Sequence, residues 1–133
     1  MPGQEDQAVT VNPKTEAVGP LKAPGLRFRI DRMSVPEAAR DEFLRTMHRN
    51  LAFIEALPGF LGHVVLEKTG GPTEFNFTTI AAWESEAAIR EGVARVRSYY
   101  EQIGFDVAEF TARLGIRVEV GEFQAPAGLQ KSP

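Results

Sequence analysis

Cysteine is absent from the 133-residue sequence. That excludes disulfides, thiolate nucleophiles, iron–sulfur clusters and cysteine-ligated zinc together. Histidine is scarce, with two residues, and no histidine–carboxylate cluster has metal-site spacing; a glycine-rich phosphate loop is missing too. Positive charge is not in excess: 15 Lys and Arg against 18 Asp and Glu leave a net −3. No sequence-wide basic field is therefore available to recruit phosphates or anionic lipid. No window holds the roughly eighteen apolar residues of a membrane span, and the opening residues lack the basic-then-apolar order of an export signal. The expectation is a soluble, cytoplasmic protein with neither nucleic acid nor membrane as partner.

What is present suffices for one core, with 43% hydrophobic residues and nine Phe. Residues 1–25, punctuated by Pro2, Pro13, Pro20 and Pro24 and without an apolar period, read as an N-terminal arm. Residues 26–123 read as the folded domain and residues 124–133 as a short tail. In "LRFRIDRM" Leu26, Phe28 and Ile30 alternate with Arg27, Arg29 and Asp31, a period-two strand. Ser34 and Glu37 then have capping-box spacing, and Phe43, Leu44, Met47, Leu51 and Ile54 recur at helical spacing up to Pro58 and Gly59.

"FLGHVVLEK" and "EFNFTTIAAW" flank "TGGPT" and read as a hairpin. Ser85 caps a second expected helix carrying Ile89, Val93, Val96 and Tyr100, ended near Gly104. Asp106 with Glu109 opens a short third helix ended by Gly115, and "IRVEVGEF" supplies a fourth strand. Strand, helix, strand, strand, helix, strand is the split βαβ order of a ferredoxin-like α+β sandwich, with an antiparallel sheet and helices on one face. In the hairpin, Phe60, Val64, Leu66, Thr78 and Ile80 are expected on one face and Leu61, Val65, Phe77 and Trp83 on the other. Neither face suits water, so a homodimer formed through the sheet is expected.

"RIDRMSVPEAARDEFL", "LPGFLGH", "AAWESEAAI" and the fourth strand together resemble the antibiotic biosynthesis monooxygenase family over residues 26–123. The resemblance implies a dimeric α+β barrel with one pocket per subunit between sheet and helices. It implies an activity found in that family: cofactor-free oxidation of phenolic polyketide rings, or haem degradation. In the haem-degrading branch a first-strand Asn and a Trp closing the third strand meet a haem-ligating His on the second helix. Trp83 matches that Trp, Asp31 stands at the Asn position, and residues 85–103 contain no His. Haem is therefore not the expected cofactor, and none is assigned.

Asp31, His63 and Trp83 are the candidate catalytic residues, with Phe77, Thr79 and Tyr100 as substrate contacts. The indole N–H of Trp83 needs an acceptor, and a phenol or quinone oxygen would serve. A buried Asp31 would have its pKa raised by desolvation, towards a range suited to taking a phenolic proton. Centring the hairpin on Gly71 pairs Val65 with Phe77 and His63 with Thr79, which puts His63, Thr79 and Trp83 on one face. Structural packing is the competing account of each of these residues. It is the preferred one for His63, Tyr100, Asn76 and His48, while Arg90, Arg95 and Arg97 are expected as a solvated helix face.

The favoured function is a cofactor-independent monooxygenase acting on a small aromatic substrate. The alternative is a non-catalytic dimeric binding protein of the same fold. RNA binding, suggested by the strand–helix order and the aromatics of "EFNFTTI", ranks last for want of the basic–glycine approach and of positive charge.

Overall fold

The computed structural model describes residues 25–129. The expected arm lies outside them except for Gly25, as do residues 130–133 of the expected tail. The elements follow the expected order: β1 (Arg27–Ser34), α1 (Arg40–Ile54), β2 (Phe60–Glu67), β3 (Phe77–Trp83), α2 (Glu86–Ile103), α3 (Val107–Leu114) and β4 (Arg117–Phe123). The strands form one antiparallel sheet in the order β2-β3-β1-β4, with α1 and α2 both in contact along one side. This is the ferredoxin-like α+β fold.

Two of the three expected caps form. Ser85 Oγ accepts from the Ala88 N–H at 3.1 Å, and Asp106 Oδ1 accepts from the Glu109 N–H at 3.1 Å. Gly104 and Gly115 close α2 and α3 in the left-handed conformation that glycine adopts without a Cβ penalty. The capping box expected at Ser34 and Glu37 does not form. Ser34 is still in β1, paired with Arg117, and a short 3-10 turn at Glu37–Ala39 precedes α1 without any side-chain cap. What intervenes is Asn76, whose Nδ2 donates to the Val35 C=O and whose Oδ1 accepts from the Val35 N–H, both at 2.8 Å. The amide bonds Val35, the residue after β1, as a strand neighbour would, and no helix starts there.

The hairpin register is two residues later on β3 than expected: His63 pairs with Ala81, Val65 with Thr79 and Glu67 with Phe77. An even shift preserves the faces, so His63, Thr79 and Trp83 do share the helix side. Phe60 does not follow the expected alternation. A register shift between Phe60 and Gly62 sets Phe60 opposite Trp83, bringing it to the helix side.

β1 holds a second inversion. Its parity puts Met33 in the core and therefore Asp31, Arg29 and Arg27 on the helix side, leaving Phe28 and Ile30 on the outer side. The outer side also carries Val64, Leu66 and Phe123, which are 43%, 47% and 52% exposed.

The core is divided. One cluster gathers Phe77, Met33, Val35, Phe43, Phe110 and Ile116; the other gathers Trp83, Phe60, Leu57 and Ile89. Phe77 and Trp83 are the first and last residues of β3, so the two clusters sit at opposite ends of one strand.

Removing the Asn76 amide would strand both backbone groups of Val35. Asn76→Ala is expected to cost roughly 1–3 kcal/mol in denaturant unfolding, the range for unsatisfied buried polar groups. An unchanged midpoint would show that water replaces the amide at no cost.

Candidate functional site

Between the two clusters the sheet and helices enclose an open-mouthed cavity of about 630 Å³. Its floor is made where β3 carries small side chains: Thr79 and Ala81 lie between the bulky Phe77 and Trp83. Asp31 is the β1 neighbour of Thr79, and Arg29 that of Ala81. On the other side of β1, Val120 pairs with Asp31 and Val118 with Met33, and both valines extend the floor. α1 contributes Met47, Asn50 and Leu51 to the roof, while α2 contributes Gly92, Val93, Val96 and Tyr100. The walls are mainly apolar, with few polar atoms, which is the usual composition of a small-molecule site.

Two buried polar atoms of the lining residues lack partners. Trp83 is 4% exposed and Thr79 7%, and neither the indole Nε1 nor the Thr79 Oγ1 has a hydrogen bond. Leaving a buried donor or acceptor unpaired costs roughly 1–3 kcal/mol, and such groups in folded proteins ordinarily have a protein, water or ligand partner. The Trp83 ring meets Phe60 edge-on, with centroids 5.1 Å apart and planes at 72°. Gly92 of α2 supports its six-membered ring.

Asp31 lies beside Arg29, with Nε 3.2 Å from Oδ1. Burial pushes the Asp31 carboxyl above the ordinary aspartate range, and the Arg29 charge and hydrogen bond offset this only in part. Tyr100, at the α2 wall, is likewise raised by burial; Arg49 and Arg29 act against this, while Asp31 and Tyr99 add to it. Asp31 and Arg29 thus form a part-buried pair on the cavity floor, with Tyr100 lining the α2 wall. Asn50, also buried, accepts from Arg49 Nε at 3.0 Å.

Of the candidate residues, the cavity brings together Asp31, Thr79, Trp83 and Tyr100. His63 stands apart from it. β2 is an edge strand, and there His63 Nδ1 lies 3.6 Å from Glu55 Oε2 and the ring 6.0 Å from that of Phe60. The face was anticipated; the strand order moved the histidine sideways, out of the cavity. Phe77 is 2% exposed, its ring against Phe43 at 4.9 Å, and belongs to the core cluster below the cavity wall. Arg90 and Arg95 pair along α2 with Glu86 and Glu91, whereas Arg97 reaches the cavity rim.

Arg29, Asn50 and Gly92 escaped the sequence reading. Asn50 left a trace, as a polar residue three after Met47 and four before Ile54 in an apolar stripe. The parity of Arg29 and Asp31 with Met33 was a second trace.

Among the described residues no group of three or more His, Cys, Asp or Glu could hold a metal ion. The haem found in one branch of the resembling family also fails to fit: neither His48 nor His63 borders the cavity, so its walls offer no histidine to the iron. No described helix is long and apolar enough to cross a membrane.

No curated protein matches the chain. Among solved structures it is similar to SnoaB, a cofactor-independent oxygenase from Streptomyces nogalater. The identity is 26%, covering 80% of this chain and 99% of that one, with a TM-score of 0.56. A heme-degrading protein from Mycobacterium tuberculosis matches at 19% identity over 81% of this chain and 99% of its own, TM-score 0.53. A dimeric ferredoxin-like protein of unknown function from Thermobifida fusca matches at 14% over 77% and 93%, TM-score 0.53. The last two share the fold alone. The family model described as antibiotic biosynthesis monooxygenase matches residues 28–92, and over those residues the chain is similar to that family.

Proposed function

We propose that the protein is a cofactor-independent monooxygenase that oxidises a small phenolic, polyketide-like aromatic substrate in the cavity. The observation that carries this is the pairing of an elevated carboxyl, Asp31, with two buried, unpartnered polar atoms, Trp83 Nε1 and Thr79 Oγ1, around an apolar space. The similarity to SnoaB, described as a cofactor-independent oxygenase, supports the same chemistry.

Asp31 takes the phenolic proton, a transfer favoured by a carboxyl whose pKa stands above the usual aspartate value. The indole N–H and the hydroxyls of Thr79 and Tyr100 hold the resulting oxyanion. The apolar walls keep water from competing for it. The electron-rich anion passes an electron to O2, and the radical pair combines at a ring carbon. That carbon loses its hydrogen and keeps one oxygen; the second oxygen leaves as water, and a quinone remains.

Oxygen uptake against a panel of phenols, with quinone formation followed by absorbance, tests the proposal. Tight binding without uptake would instead identify a binding protein. For Asp31→Asn, turnover should fall about 10²–10⁴-fold, the usual worth of a positioned base. Stability should move the other way. Because the folded pKa of Asp31 is raised, its ionisation opposes folding as pH climbs through that value. Asp31→Asn should therefore melt no lower than wild type at pH 7, with any advantage disappearing in acid. A variant that melts early at neutral pH would show that the Arg29 contact outweighs burial.

Trp83→Phe removes the N–H and keeps much of the apolar ring. Ligand or transition-state stabilisation should drop by roughly 0.5–3 kcal/mol. Early melting with normal binding and turnover would make the tryptophan purely structural.

The outer side of the sheet is proposed as a homodimer interface, since Val64, Leu66 and Phe123 stand exposed there beside Phe28 and Ile30. A relative of this fold is itself described as dimeric. Light scattering should give about twice the 14.6 kDa chain mass, and Leu66→Lys should reduce it to one. A monomeric wild type at low micromolar concentration overturns the interface.

A further inference from the structure

Gly92 occupies an odd position for glycine. It lies within α2, where glycine is less favourable than alanine, and it does not have the positive φ that would require glycine. The reason is spatial. A Cβ there would stand 2.6 Å from Trp83 Cζ3 and 3.2 Å from Cζ2, and closer still to Cη2. The outer edge of the indole rests directly on the helix backbone. On another side Phe60 meets the same ring edge-on at 5.1 Å, within the apolar cluster of Leu57 and Ile89. With helix and cluster both closed to it, the ring has one remaining direction of movement, into the cavity that Trp83 and Gly92 both line.

We propose that Gly92 is a positioning residue for Trp83: by letting the indole sink against α2 it fixes the direction of Nε1 and sets how large an aromatic ring system the cavity accepts. The proposal rests on the cavity being an aromatic-ligand site. A methyl group at position 92 pushes the indole into the floor space above Ala81. The cavity shortens at that end while its far end, around Asp31 and Thr79, keeps its shape. Small phenols would then still bind where two-ring phenols would not.

Trp83 is the chain's only tryptophan, so intrinsic fluorescence reports this ring alone. In Gly92→Ala the emission should shift to longer wavelength as the indole leaves its apolar seat. Affinity for 1-naphthol should fall roughly ten- to a hundredfold, while that for phenol stays within about twofold, as expected for overpacking confined to one end. The same substitution is then made in the Trp83→Phe background, where the outer indole edge is missing. There it should leave 1-naphthol affinity within about twofold and raise the melting temperature, alanine being the better helix former. This background also serves if Gly92→Ala alone folds too poorly to titrate. An equal loss of 1-naphthol binding in the Trp83→Phe background would show that the methyl itself fills the cavity, overturning the inference. Unchanged emission and unchanged size preference in Gly92→Ala would overturn it as well. A wild type that binds neither phenol instead removes the proposed function, and the emission and melting comparisons still decide whether Gly92 seats the ring.

Discussion

The cavity lies between two apolar clusters: α1 packs on both, and α2 packs on the one around Trp83. β3 begins with Phe77 and ends with Trp83, and each bulky ring anchors one cluster. Six rises of about 3.3 Å separate their Cα atoms by roughly 20 Å. Between them, on the same face, stand only Thr79 and Ala81. α1 reaches both clusters and so bridges the small residues, while α2 rests on the Trp83 cluster. Close packing normally eliminates such space, since voids larger than a water are few in a domain. Here the spacing of large and small residues on one strand builds it in.

The same spacing decides the electrostatics. A carboxyl on the helix side of a central strand would ordinarily be costly, yet Asp31 opens onto the cavity and has Arg29 beside it. Burial still outweighs the arginine in setting its proton affinity. The group is therefore neither a fully solvated acid nor a locked ion pair. Tyr100 responds to the charges of Arg49, Arg29 and Asp31 as well as to burial.

Much of the fold was legible because its signals are local. Ser85 and Asp106 cap the helices that follow them, and Gly104 and Gly115 end them, as the spacing indicated. Where a distant residue intervened, legibility failed. Asn76, 41 positions along the chain from Val35, cancels the expected cap at Ser34, and no local pattern announces it. The site was partly legible for a similar reason. Thr79 shares a face with Trp83 by strand parity, which survives an even error in register, whereas Asp31 came from the family resemblance and lies opposite to where the apolar Phe28 and Ile30 pointed. His63 depended on lateral position in the sheet, which parity does not contain. Gly92 depended on which ring would lie over it, a tertiary contact invisible in a helix that reads as an ordinary amphipathic pattern.

β3 also ties the cavity to the outer side. Phe77, Thr79, Ala81 and Trp83 face the helices, so Thr78, Ile80 and Ala82 face outwards with Val64 and Leu66 of β2. A slip of one residue would exchange the two sets, placing Trp83 outside and emptying both clusters. The register is held at both ends against this. At the start of β3, Asn76 grips Val35 with its side chain while its own C=O accepts from the Lys68 N–H at 2.8 Å. At the finish, the irregularity between Phe60 and Gly62 turns Phe60 inwards against Trp83, and the Gly59 C=O accepts from the Glu84 N–H at 2.9 Å. Gly59 itself must be glycine for this approach: its φ is +79°, and a Cβ would stand 2.5 Å from that of Ala88. The strand that forms the cavity floor is thus clamped at its two ends by side-chain and backbone contacts outside the cavity. Substitutions at Thr79 or Asp31 can alter the chemistry of the floor without releasing the register that positions it.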